Sequence, residues 1–359
     1  MKNILLMALL CVVYNTQAVA QGCVAIRGAG GSSCSITGHL MHADTSGYTL
    51  NVNTRYFKSY KHYVGTEEQK QRVALGTEVI NHTLSMDIGI TKTINKKWSA
   101  AIYIPVIAND RSSLYEHANR GRFTTSSFGI GDIRIAAYTW LKDPSKMPKF
   151  NAQVGFGVKL PTGDYRYTDR FTTATGTVVG PVDQSIQLGD GGTGLTLELN
   201  AYQRFGKRLS AYGNFYYLVN PREQNGVSTA RGGTPNASAV LYTTDVMSVP
   251  DQYLIRGGLN YQLRNWTFSG GLRFECIPAK DLIGGNEGFR RPGEILTLEP
   301  GITYMFSKLN LFLTVPTAIM RNRTQSYPDQ IRSSLTGTNY KGDAAFADYS
   351  INLGFSLKL

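Results

Sequence analysis

The sequence predicts an all-β fold: a transmembrane, antiparallel, up-and-down β-barrel of about twelve strands. Three observations predict it. Segments of about ten residues that alternate apolar and polar side chains recur along the chain, and ten residues is the length a tilted strand needs to cross an outer membrane. The connections between them alternate short and long, as in barrels with tight turns on one side and extended loops on the other. Beyond residue 20, no apolar run reaches the roughly 18 residues of a spanning helix.

Residues 1–20 read as an export signal. Lys2 supplies the positive start, Ile4 to Val13 an apolar run too short for a bilayer, and Ala18-Val19-Ala20 a small-residue cleavage site, so the mature chain is expected to begin at Gln21. Leu10 stands before Cys11 where a lipoprotein would need a small residue. Residues 21–46 are Gly-rich and polar, and are expected in the periplasm or the lumen. Export permits disulfides, and Cys23 and Cys34 are close enough in sequence to close a small loop. Cys276 is then an odd thiol near a strand end. Neither a CxxC spacing nor a His/Cys cluster suggests a metal, and no cofactor is expected.

The barrel is expected over residues 47–359. Its first strand runs from Tyr48 to Tyr56. His82 to Thr91 follows, with Leu84, Met86, Ile88 and Ile90 opposing Thr83, Ser85, Asp87 and Gly89. Trp98 to Val106 points Trp98, Ala100, Ile102 and Ile104 outward, and Gly131 to Leu141 sets Ile133, Ile135 and Ala137 against Asp132, Arg134 and Tyr138. Asn151 to Leu160 alternates most cleanly. Leu195 to Tyr202, Leu209 to Val219, Tyr253 to Gln262, Phe268 to Glu275, Leu296 to Tyr304, Leu309 to Val315 and Tyr349 to Leu359 complete the series. Long polar stretches are expected at about 59–81, 109–127, 162–193, 220–252, 279–293 and 321–345, and with an even strand number both termini face the periplasm. The last strand, ending Phe355, Leu357, Leu359, has the alternation that barrel assembly machinery reads, with Leu359 where an aromatic is common. Trp98, Tyr261, Trp266, Tyr304 and Tyr349 stand at strand ends, where interfacial girdles form.

Only 17% of residues are charged, yet Asp87, Asp132, Arg134, Lys159, Glu198, Arg256, Arg273, Glu275, Glu299 and Asp348 fall on the inward parity. Facing lipid, an Arg or Lys at mid-depth would cost about 2–4 kcal/mol, which drives them inside. Two readings of that interior stay open: a salt-bridged structural filling, or a lining that selects a solute. The net charge of +12 is scattered over loops and turns without a basic helix, so lipid headgroups and lipopolysaccharide phosphates are the expected partners and nucleic acid is not.

Two segments carry a resemblance. Phe128 to Leu141, FGIGDIRIAAYTWL, and Gly157 to Asp164, GVKLPTGD, resemble in order and spacing the strand opening G-x-G-D and the strand ending P-T-G-D of outer-membrane transporters named for the meta-pathway of phenol degradation, distantly similar to fatty-acid transporter barrels. The resemblance marks Gly129, Gly131, Asp132, Pro161, Thr162, Gly163 and Asp164 as family positions, either ligand-related or simply turns at the barrel rim. It implies a channel or transporter for small hydrophobic or amphipathic solutes. The alternative is a non-transporting scaffold whose loops bind surface partners. An enzyme is not expected, since no His pairs in sequence with a Ser nucleophile at a strand. Gly189 to Gly194 matches G-x-G-x-x-G formally but opens a strand, not a helix, and reads as a loop.

Overall fold

The computed structural model describes residues 46–359; the export signal and the expected Cys23–Cys34 pair lie outside the described residues. The barrel strands are β1 (Gly47–Val64), β2 (Ile80–Thr93), β3 (Trp98–Ser113), β4 in two segments (Phe123–Ile130 and Arg134–Trp140), β5 (Phe150–Lys159) and β6 (Gly194–Arg204). They continue with β7 (Leu209–Val219), β8 (Gln252–Leu263), β9 (Trp266–Ile277), β10 (Gly293–Met305), β11 in two segments (Leu309–Thr314 and Thr317–Asn322) and β12 (Ala344–Lys358). Each pairs antiparallel with its sequence neighbours, and β1 pairs with β12 from Thr49↔Lys358 to Tyr63↔Ala344, closing a twelve-stranded barrel.

Alternation decides which face is which. Leu195, Leu197 and Leu199 are exposed on the outer wall, while Thr196, Glu198 and Asn200 between them are buried inside. The same division runs through Ile255, Leu259, Phe268 and Leu272 outside and Arg256, Asn260 and Arg273 inside. The result is an apolar outer belt. At the turn side, Trp266 packs edge-on to Tyr304, with centroids 4.6 Å apart, and Trp98 and Tyr261 are exposed at the same level. The turns are built locally: Asn95 Oδ1 accepts the amides of Lys97 and Trp98 at 2.9 Å, and Arg264 takes a left-handed φ of 54° between β8 and β9.

The wall departs from the expected strand ends in one quadrant. β1, β2 and β3 are 18, 14 and 16 residues long, against 10 for β5. Of residues 109–127, expected as a long loop, 109–113 extend β3 and 123–127 belong to the first segment of β4, with Val106↔Ile130 through Ser113↔Phe123 in register, and only 114–122 connect them. Alternation fails as a signal there because polar residues occupy both faces above the membrane; the backbone ladder continues without it. β4 is interrupted at residues 131–133, so the expected continuous strand Gly131 to Leu141 begins only at Arg134.

Above the interruption, the strand-to-strand seal is missing on one side. Phe123–Ile130 pairs with β3 alone, since β5 stops at Lys159, and its free edge meets a small hairpin (Thr168–Thr173 and Gly176–Pro181), where Ser126 N donates to Asp169 Oδ2 at 2.8 Å. The other outer loops also carry structure: short helices α1 (Lys70–Ala74) and α2 (Ala237–Leu241), and α3 (Tyr327–Thr336), which opens with a capping box between Ser326 and Asp329.

Candidate functional site: a divided lumen

At mid-barrel the inward charges form two groups. On the β4–β6 side, Arg134 pairs with Glu198, whose Oε1 also accepts the Tyr138 hydroxyl at 2.9 Å, and the Arg134 guanidinium lies 4.1 Å over the Tyr103 ring. Tyr138 can lie flat because its neighbour is Gly155, where a Cβ would fall 2.5 Å from the ring. On the β8–β10 side, Arg256 and Arg273 approach Glu299 at 3.6 and 3.8 Å, and Arg273 also meets Glu275 at 2.7 Å. Buried pairs of this kind contribute little net stability, but removing one partner strands the other at a cost of about 3–5 kcal/mol. Asp87 is half-buried at the same level. Asp348 stands apart near the outer end of β12, about 29% exposed and paired with Lys61 and Arg321.

The two family segments meet at the interruption in β4. The Thr162 hydroxyl accepts the Ile133 amide at 2.8 Å and donates to the Gly131 carbonyl at 3.0 Å, so one side chain bridges the broken ladder. Asp132 accepts the amides of Gly163 at 3.0 Å and Asp190 at 3.1 Å, and Lys159 sits between Asp132, at 3.3 Å, and Asp190. Leu188 fills the space left by the glycines: a Cβ on Gly129 would lie 2.8 Å from its side chain, and one on Gly163 would lie 2.7 Å from its carbonyl oxygen. Asp164 Oδ1 accepts the Arg166 amide at 2.9 Å as the loop turns away, and Pro161 is exposed beside it. These positions hold the loop of residues 160–193 in place.

That loop divides the lumen. Residues 182–188 cross the barrel with Val182 and Asp183 facing an outer cavity of about 540 Å³, and Gln184, Ser185, Gln187 and Leu188 facing a deeper one of about 110 Å³. The deeper cavity is also lined by Tyr103, Arg134, Lys159, Tyr216, Leu218 and Ile277. Met247 touches both. Asp183 fixes the crossing: Arg291 grips it at 2.8 and 2.6 Å, and Arg111 lies at 3.4 Å. Burial alone would raise its carboxyl, but these two guanidiniums hold it well below the usual carboxylate range. Glu116 is likewise buried, yet Arg111 and Arg231 bring it down to about 2.

The sequence profile of the family described as "Putative MetA-pathway of phenol degradation" matches residues 70–319. The chain belongs to that family. The match runs from α1 into β11 and so takes in both strand motifs and the dividing loop. Among solved structures, the COG4313 outer membrane channel from Pseudomonas putida F1 is 10% identical, with 88% of this chain and 96% of that chain covered at a TM-score of 0.57, which shows a shared fold. The CymD monoaromatic hydrocarbon channel, also 10% identical over 95% of this chain and 94% of that chain, superposes at a TM-score of 0.42, too low to support an argument. No curated protein sequence matches the chain. A closed barrel with an apolar belt, in this phenol-degradation family, is an outer-membrane protein.

Sequence reasoning missed several lumen residues. Arg55 is 4% exposed, and its Nε donates to Asn352 Oδ1 at 3.0 Å. It lies on the inward parity with Asn51 and Asn53, in a strand whose outward alternation is broken by the polar Thr54. Of the outer-cavity arginines, Arg111 lies on the extension of β3 and the other six lie outside the strands, where period two carries no information.

Proposed function

We propose that this barrel is a channel for small hydrophobic or amphipathic molecules. The observation that carries the reading is the pair of cavities in series inside the barrel, separated by one crossing of residues 182–188. A barrel of twelve strands is wide enough to leave such space, whereas an eight-stranded one fills with side chains. The deeper cavity presents Leu188, Leu218, Ile277 and two tyrosine rings beside its charges, an environment suited to a small body with one polar end. The inward charges Arg134, Glu198, Arg256 and Glu299 would set the electrostatic barrier of the narrow part, and the Asp132–Thr162–Leu188 arrangement would hold the partition closed. The reading includes no catalytic step.

The scaffold alternative has less support. The outer loops tie to one another across the mouth, as Arg231 does to Glu116 and Arg291 to Asp183, and do not splay outward to receive a partner. Reconstitution into liposomes with a panel of small aromatic and aliphatic solutes is the test. Uptake through the wild-type protein should change when Arg134, Arg256 or Glu299 is replaced by a neutral residue. If no solute passes and these substitutions alter only stability, the interior is structural and the channel reading fails.

A further inference from the structure

The outer cavity is strongly cationic. Seven arginines line it against three aspartates, and adding Glu116 and Asp281, which pair with arginines there from just behind, still leaves an excess of two positive charges. Six of the seven arginines meet a carboxylate within 3.0 Å. The seventh, Arg332 on α3, has no carboxylate partner and no side-chain hydrogen bond among the described residues. Its guanidinium instead lies over two rings, 3.7 Å from the centroid of Tyr340 and 5.4 Å from that of Tyr242.

That arrangement has a chemical consequence. A guanidinium offers five N–H donors in its plane and none from its faces. Rings against the faces replace part of its hydration and fix its orientation, and the donors at its edge are left unassigned. Tyr242 comes from the loop between β7 and β8, while Arg332 and Tyr340 come from the loop between β11 and β12, so the clamp exists only when both loops cover the mouth. Planar, bidentate donors matched to two oxygens suit a carboxylate, and the surrounding excess of positive charge attracts an anion to them.

We infer that the outer cavity is a binding site for small organic carboxylates, with the edge of Arg332 as the carboxylate anchor and the rings of Tyr242 and Tyr340 holding that anchor in place. This rests on the channel reading and deepens it: the solutes admitted first would be aromatic or short aliphatic acids, with the apolar body directed toward the deeper cavity.

The test uses the full protein purified in detergent and calorimetric titration with benzoate, benzyl alcohol and inorganic phosphate. Benzoate should bind, benzyl alcohol should bind at least tenfold more weakly, and phosphate should compete poorly. Arg332→Gln should weaken benzoate at least tenfold and Arg332→Lys by less, because charge is kept and the fork is lost. Arg208→Gln, at a turn on the opposite end of the barrel, should change nothing. Folding of each variant is checked by its migration on gels before and after heating. Equal benzoate binding by wild type and Arg332→Gln overturns the site, as does no benzoate binding by wild type. Phosphate binding as tightly as benzoate overturns the carboxylate assignment. Flux in liposomes is scored separately: Arg332-dependent binding without flux sinks the channel reading alone, and flux without such binding sinks this site alone.

Discussion

The Asp132 carboxylate accepts the backbone amide of Gly163 at 3.0 Å, tying the interrupted fourth strand to the loop that divides the lumen. The same carboxylate takes the Asp190 amide from the far end of that loop. In Asp132→Ala both amides lose a charged acceptor, and each such bond is worth about 1.5–3 kcal/mol. Residues 163–190 should open locally more than tenfold as often, since ~1.4 kcal/mol is a factor of ten. Limited proteolysis reads this directly. Unchanged cleavage rates in the loop would show that the tie is redundant.

Gly155 provides the seat for Tyr138, and a methyl there would sit 2.5 Å from the ring. Gly155→Ala should cost about 1–3 kcal/mol by forcing Tyr138 off Glu198 and Tyr103. In a Tyr138→Ala background the same change should be nearly neutral. The temperature at which the folded band is lost on gels, measured for the four variants of this cycle, checks the coupling. An equal loss in both backgrounds would assign the cost to the strand backbone.

His62 and Arg72 hold Asp343 at 2.8 Å each, at the base of the loop that carries α3. Burial would raise this carboxyl, but the His62 hydrogen bond and the charges of His62 and Arg72 bring it to about 2. A carboxylate that titrates lower in the folded protein than its free value of about 4 stabilises the fold above that value, and the contribution is lost as pH falls toward 2. Pepsin cleavage within residues 324–343 should therefore rise steeply between about pH 4 and pH 2. Asp343→Asn should cleave readily and with little dependence over that interval; a wild-type rise matched by the variant would place the acid-sensitive contact elsewhere.

Single cysteines at the exposed loop positions Thr175 and Thr234, in a background lacking the native ones, should label on intact cells. One at Lys96, in the turn between β2 and β3, should need permeabilised cells. The opposite pattern would invert the barrel.

Fold and strand faces were legible because lipid enforces them: Leu195, Leu197 and Leu199 must be apolar, and nothing else can occupy their positions cheaply. Above the membrane that constraint ends, which is why β1 and β3 outran their expected ends and why residues 109–127 read as a loop. The motif positions Asp132, Thr162 and Gly163 were visible in the sequence, but their contacts were not, since two hydrogen bonds across a broken ladder leave no periodic trace. Arg332 was invisible for a related reason. Its significance comes from tyrosines on two different loops, and no spacing in the sequence links Tyr242 to Tyr340.

Arg55 and Asn352 are hydrogen-bonded across a separation of 297 residues, at the junction of the first and last strands. Every other junction in the wall joins neighbours along the chain and can form as the polypeptide is delivered. This one waits for the end of synthesis. Until β12 arrives, β1 is an open edge with unpaired amides and carbonyls, the arrangement that invites a second chain. Arrival of β12 pairs that edge from Thr49 to Tyr63 and brings Asn352 to the Arg55 guanidinium, so this hydrogen bond lies at the one seam whose two sides are made at opposite ends of synthesis.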